Sequence, residues 1–111
     1  RARELAILRV AVLNKADYEF NAHVPFAKKE GVTQAQLDEM RADRMPADFT
    51  DADRAVLECT DAMTRNIQVP DAIFAAVRKH FADREAMELV ATVAAYNLVS
   101  RFLVAIQVDH E

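Results

Sequence analysis

Residues 1–31, RARELAILRVAVLNKADYEFNAHVPFAKKEG, decide the fold. Leu5, Ile7, Leu8, Val10, Val12 and Leu13 wrap apolar side chains nearly all the way round a spiral of 3.6 residues per turn, and no strand-like alternation runs through them. The pattern predicts a helix over residues 1–15 and a second over 17–30. Gly31 closes the second, as the only residue of the chain suited to a left-handed position after a helix. Further along, Thr33 with Gln36 is a capping-box pair opening a short third helix to about residue 42, and residues 43–49, with Pro46, read as a loop. Thr50 caps a fourth helix to about residue 65. Pro70 takes the first position of a fifth, reaching about residue 81. Asp83 caps the last and longest, to about residue 108. The expectation is an all-α, single-domain helical bundle of about six helices spanning residues 1–111.

Composition agrees. Apolar residues make up 52% of 111 positions and glycine occurs once, which suits helix throughout and argues against disorder. So much apolar surface on a short chain predicts subunit contacts as well as a core. Fourteen basic residues against eighteen acidic leave a net charge of −4 with no basic stripe, so no nucleic-acid partner is expected. The longest uncharged run of the last helix, residues 89–100, falls short of the ~20 residues that span a bilayer, so no membrane partner is expected either. One cysteine, Cys59, builds neither an intrachain disulfide nor a cysteine-rich metal site, which makes the cytoplasm the default compartment. The first helix begins without an initiating Met, and Arg1 and Arg3 stand where a helix start favours acids. An upstream continuation is therefore expected.

Three residues sit awkwardly on apolar faces. Glu4 falls between Ile7 and Leu8 on the helical wheel, in line with Ala11, where an uncompensated carboxylate costs several kcal/mol and so demands a partner. Glu19 and His23 are one turn apart and share a face with Phe20, Phe26 and Ala27. A carboxylate beside an imidazole fixes the ring's tautomer and suits proton transfer, although on spacing alone a lone histidine on an apolar face is more often a satisfied core residue. Pro25, two residues on, cannot donate to the carbonyl of Asn21 and is expected to bend the helix beside the ring.

The runs Arg3-Glu4-Leu5-Ala6-Ile7-Leu8-Arg9 and Tyr18-Glu19-Phe20-Asn21-Ala22-His23, with Ala27 and Gly31, resemble the core pattern of the carboxymuconolactone decarboxylase-like family, in the alkylhydroperoxidase D-like superfamily. The likeness recurs in the last helix, at Glu88-Leu89-Val90-Ala91 and over residues 95–102. In the peroxidase branch the pattern reads E-x11-C-x-x-C-x-x-x-H. The interval of nineteen from Glu4 to His23 is the same, but the cysteine positions fall on Ala16 and Glu19. A dithiol peroxidase needs an attacking thiolate and a resolving thiol. Cys59 supplies neither, lying in an Ala55, Val56, Ala62, Met63 stripe that reads as core.

The resemblance thus implies the decarboxylase side, with Glu4, Glu19 and His23 as catalytic residues acting by proton transfer on a small organic acid or lactone. It also implies a homotrimer or homohexamer with the site near subunit contacts. Tyr18, Asn97 and Arg101 are candidate substrate-binding residues. Tyr18 could donate to a substrate oxygen or serve as an amphipathic wall residue; Arg101 could clamp a carboxylate or form an interhelical ion pair. Two carboxylates and a histidine are compatible with several metals, but the family pattern requires none and no zinc spacing is present, so neither metal nor cofactor is expected. His80 suits a helix C-terminus, His110 a tail, and the four methionines packing. The alternatives are peroxidase-type activity drawing on a partner's thiol, or a non-catalytic oligomeric small-molecule-binding protein.

Overall fold

Three of the six helices end on the same hydrogen-bonded motif, and that motif sets where the site lies. In the computed structural model, which describes residues 1–108, the elements are α1 (Ala2–Leu13), α2 (Asp17–Lys29), α3 (Gln34–Arg41), α4 (Asp51–Asn66), α5 (Asp71–His80) and α6 (Asp83–Ala105). No strand occurs among the described residues. Past α2, Gly31 has φ +92°, while Val32 N–H donates to Ala27 (3.1 Å) and Gly31 N–H to Lys28 (3.0 Å), a Schellman closure. A Cβ at Gly31 would meet only Arg1 Nη1 at 3.5 Å, so glycine is there for its backbone freedom and not for space.

Glycine is not the only residue to take this position. Lys15 (φ +56°) ends α1 with Ala16 N–H on Ala11 (2.8 Å), and Asp43 (φ +60°) ends α3 with Arg44 N–H on Glu39 (2.9 Å). The first helix therefore stops at Leu13 instead of residue 15. Its closure folds α2 back across α1 and buries Ala11 and Ala16, each 1% exposed, against each other's turn.

Other boundaries shift for similar local reasons. Thr33 with Gln36 and Thr50 with Asp53 form the reciprocal capping boxes of α3 and α4. Pro70, at ψ 148°, is the N-cap of α5 and not its first residue. Asp83 is the first residue of α6, whose cap is the Ala82 backbone; the Ala82 N–H donates to Glu85 Oε1 at 2.9 Å. The last helix ends at Ala105, because Gln107 turns to φ +64°. His110 lies outside the described residues.

α1 is the hub. Its Leu5, Ala6, Ile7, Leu8, Val10 and Ala11 are buried, and it packs on α2, α4 and α6 at once. Its all-round apolar character is thus consumed within the chain, not held for a subunit contact. α6 behaves differently. Only one side of it is buried, by Ala86, Leu89, Thr92, Val93 and Ser100. Met87, Leu98 and Phe102 are 67%, 70% and 60% exposed, with Ala91 and Ala94 exposed between them at spacings of three and four. By length and composition alone α6 could cross a membrane. Its inner side nevertheless closes a polar clasp: Asn14 Nδ2 donates to Asn97 Oδ1 (3.0 Å) and Ser100 Oγ (2.8 Å), and Asn97 Nδ2 to Thr64 Oγ1 (3.0 Å).

Two ion pairs fix α1 on α4. Arg9 bonds both oxygens of Asp61 and reaches Asp43 at 2.6 Å; Arg1 bonds both oxygens of Asp53, at 3.1 and 2.9 Å. Burial pushes the Asp53 carboxyl up, but the Arg1 guanidinium and the Thr50 amide outweigh it and hold the group below the usual carboxylate range. A carboxyl held low in the folded state adds stability above its unfolded pKa of about 3.9 and loses it as pH falls through the folded value. Asp53→Asn should therefore cost about 1–2 kcal/mol near neutral pH, and thermal melts should show the gap to wild type closing below about pH 4. A gap that persists unchanged in acid would refute this account.

Candidate functional site

Glu4 stands in the first turn of α1, where a carboxylate complements the helix dipole, and its side chain is 13% exposed. The return of α2 across α1 brings His23 over it. Nδ1 of His23 lies 2.9 Å from Glu4 Oε1, and against an ionised carboxylate, which only accepts, it is Nδ1 that carries the proton of this bond. The imidazole is 17% exposed, shielded but not sealed. Tyr96 of α6 meets the ring edge-on at 5.5 Å between centroids, and Phe26 lies tilted against it at 5.8 Å. Pro25 removes one hydrogen bond from α2 without ending it, since the helix runs on to Lys29.

Glu19, one turn before His23, is 7% exposed. Among the described residues its carboxylate makes no hydrogen bond or ion pair, and no side-chain oxygen or nitrogen is both sealed from solvent and unbonded, so its oxygens keep some access to water. Of the three residues singled out by pattern, two are joined directly, and the third lies one helical turn before His23 with no described contact to either. The three do not gather as metal ligands: among the described residues no group of three or more His, Cys, Asp or Glu is placed to hold an ion.

Sequence reasoning missed Arg3 and Tyr96 as part of this site. Arg3 lies over the Tyr96 ring, 5.6 Å from its centroid, donates to the Tyr96 hydroxyl (3.3 Å) and to Thr92 Oγ1 (3.4 Å), and holds Nε 3.9 Å from Glu4 Oε2. Both belong to runs that carry the family likeness, but nothing in their spacing points to His23. Tyr96 is 73 residues along the chain from the ring it contacts, taking the difference of the two residue numbers. The other candidates fall elsewhere. Asn97 faces inward into the Asn14, Thr64 and Ser100 clasp, where its side-chain oxygen and nitrogen are both bonded. Arg101 is exposed and forms no ion pair among the described residues, so the interhelical pair is not made there. Tyr18 is 52% exposed at the start of α2. No described contact joins Asn97 or Arg101 to Glu4, Glu19 or His23.

The helical bundle and its carboxylate–imidazole pair define a protein of the alkylhydroperoxidase D-like class. The pattern of the carboxymuconolactone decarboxylase family matches residues 1–62, more than half of the 111, and the chain belongs to that family. YdfG of Bacillus subtilis, an uncharacterized protein, is 26% identical over 105 residues, covering 93% of this chain and 71% of that one. A crystal structure of an Agrobacterium tumefaciens protein of unknown function, proposed to be the antioxidant defence protein AhpD, matches with a TM-score of 0.86 at 27% identity, over 96% of this chain and 75% of its own.

The sulfur chemistry of the peroxidase branch has no seat in this chain. Ala16, on the first of its cysteine positions, is 1% exposed as the cap of α2. Cys59 is fully buried on α4, and burial pushes its thiol up, away from the reactive thiolate. Ellman's reagent at pH 8 should accordingly label Cys59 only as fast as the chain unfolds. Rapid labelling of the folded protein, at a rate independent of added urea, would show an accessible thiolate instead.

Proposed function

We propose that this protein is a cofactor-free enzyme that performs carboxymuconolactone decarboxylase-like proton transfer on a small organic acid or lactone, with His23 as the acid/base group. The observation that carries the reading is the 2.9 Å bond between His23 Nδ1 and Glu4 Oε1, inside an aromatic wall. When a carbon–carboxylate bond breaks and carbon dioxide leaves, the electron pair stays on carbon and must take up a proton. A protonated His23 supplies it from Nε2 while Nδ1–H stays on Glu4, which balances the positive charge before transfer. Isomerisation or lactone chemistry uses the same group in both directions. Glu19 adds a second negative charge one turn before His23. An antioxidant role, as proposed for the A. tumefaciens protein, would need a thiol from a partner if it ran by peroxidase chemistry, since the site itself holds none.

The reading includes assembly and compartment. The Met87, Ala91, Ala94, Leu98, Phe102 seam on α6 repeats at three and four residues, as a helix packing on another copy requires, and Phe26 carries exposed apolar surface (53%) at the His23 ring itself. We take the assembly to be a homotrimer or homohexamer in the cytoplasm, the stoichiometry following the family likeness.

Two outcomes test this. Small lactones and unsaturated carboxylic acids incubated in D2O with the protein should show carbon dioxide loss or deuterium uptake by NMR. His23→Ala should slow this by ~10²–10⁴ and Cys59→Ser should leave it near wild type, each assayed below its own unfolding temperature. A folded but inactive Cys59→Ser beside an active His23→Ala would overturn the proton-transfer reading. Separately, light scattering at micromolar concentration should give an oligomer that Leu98→Glu dissociates. A wild-type monomer would remove the assembly from the proposal.

A further inference from the structure

Arg3 is the one arginine that touches the Glu4–His23 pair, and it is also the one whose charge is poorly matched there. Arg1 and Arg9 are tied to carboxylates at close range, whereas Arg3 has only two hydroxyl acceptors at 3.3 and 3.4 Å and a carboxylate at 3.9 Å. Its side chain is 61% exposed. On the side away from His23, Arg3 lines a cleft of about 450 Å³ between the start of α1 and α6, with apolar walls from Phe81, Leu89 and Ala91, and with Thr92 beside it. That is the size of an ordinary small-molecule site.

We infer that this cleft binds a small organic acid, of the class proposed as substrate, through a single carboxylate held by Arg3, with the acid's apolar body along Phe81 and Leu89. The placement rests on the proposed function for what happens next, but not for whether the cleft binds. A guanidinium presents parallel N–H groups that fit a carboxylate bidentately at about 2.7–2.9 Å, a better partner than the hydroxyls it holds now. Thr92, which also lines the cleft, accepts from Arg3 through its hydroxyl oxygen and keeps its own proton, so it offers a further donor to the same anion. The charge around the cleft favours a monoanion. Glu85 and Glu88 also line it, and although Glu85 is engaged by the Ala82 amide and Glu88 by Arg84, both oppose a second negative charge. Arg1, the other cation of the cleft, is already neutralised by Asp53. Arg101, the arginine that sequence position favours for this role, has no contact with the pair.

Binding can be read without turnover. The ¹⁵N-labelled chain is titrated with benzoate, an apolar ring bearing one carboxylate, and the Arg3 Nε–H and Thr92 amide signals are followed by NMR. Benzoate should give saturable shifts at both, while benzamide and the dianion phthalate bind more weakly. Arg3→Gln should weaken benzoate binding roughly tenfold or more, a charged hydrogen bond being worth about 1.5–3 kcal/mol; Arg101→Gln should not change it. Arg3→Lys, which keeps the charge and loses the fork, should fall between, and it serves as the test if Arg3→Gln does not fold. His23→Ala should bind benzoate as wild type does, so a catalytically idle His23 leaves this inference standing. No saturable shift in wild type, or equal benzoate affinity in folded Arg3 variants, would overturn it.

Discussion

A carboxylate on a helix that is apolar on every side must be compensated from inside the fold. Glu4 is that carboxylate and α1 is that helix, packed at once on α2, α4 and α6. Left unpartnered at 13% exposure, it would carry a penalty of several kcal/mol. The compensation comes from His23, and the geometry of the remainder follows from delivering that ring. α1 has to end at Leu13, the left-handed Lys15 has to reverse the chain, and α2 has to run back far enough for its second turn to reach the first turn of α1. One polar bond thus ties the helix that follows the reversal to the first turn of α1.

The rest of the polar network holds α1 steady without competing for Glu4. Arg9 is used by Asp61 and Asp43, Arg1 by Asp53, and Asn14 by Asn97 and Ser100, so α1 is fixed to α4 and α6 near both ends. Because these partners are satisfied locally, the pair at Glu4 and His23 is not diluted by stray charges from the same helix, apart from Arg3. A site on rigid helices, oriented by paired side chains and not by loops, keeps its donor and acceptor within the narrow geometry that proton transfer requires.

Much of this was legible because it is local. The capping pairs at Thr33 and Thr50, the closure at Gly31 and the nineteen-residue interval from Glu4 to His23 are all written within a few turns of helix. What escaped was either non-local or energetically ambiguous. Arg3 meets Tyr96 across 93 residues, and no helical period encodes that contact. Lys15 and Asp43 adopt the conformation glycine prefers because the hydrogen bonds of a Schellman closure, and for Asp43 the pull of Arg9, offset the modest cost of positive φ. Asn97 looked like a ligand contact, since an amide on an apolar helix serves equally well as an interhelical clasp, and only the positions of Asn14 and Thr64 decide between them. The all-round apolar surface of α1 was misleading for the same reason: pattern reports that a face will be covered, but not by which part of the assembly.

That distinction bears on α6, which turns its buried side, with Tyr96, to the site and its uncovered seam to the opposite face. Tyr96, on α6, contacts the His23 ring edge-on, while Leu98 and Phe102 on the same helix remain open, and Phe26 closes the ring's other side with half its own surface in water. Covering the exposed part of Phe26 in an assembly of the proposed kind would withdraw water from the wall beside the His23 ring. An ion pair a few ångströms apart interacts several-fold more strongly at the effective dielectric of a protein interior than in water. Glu19, nearly buried and unbonded in the single chain, lies one turn before His23 on the same helix. Phe26 is where the two proposals meet: the ring that walls the imidazole is also exposed apolar surface that a second copy would cover.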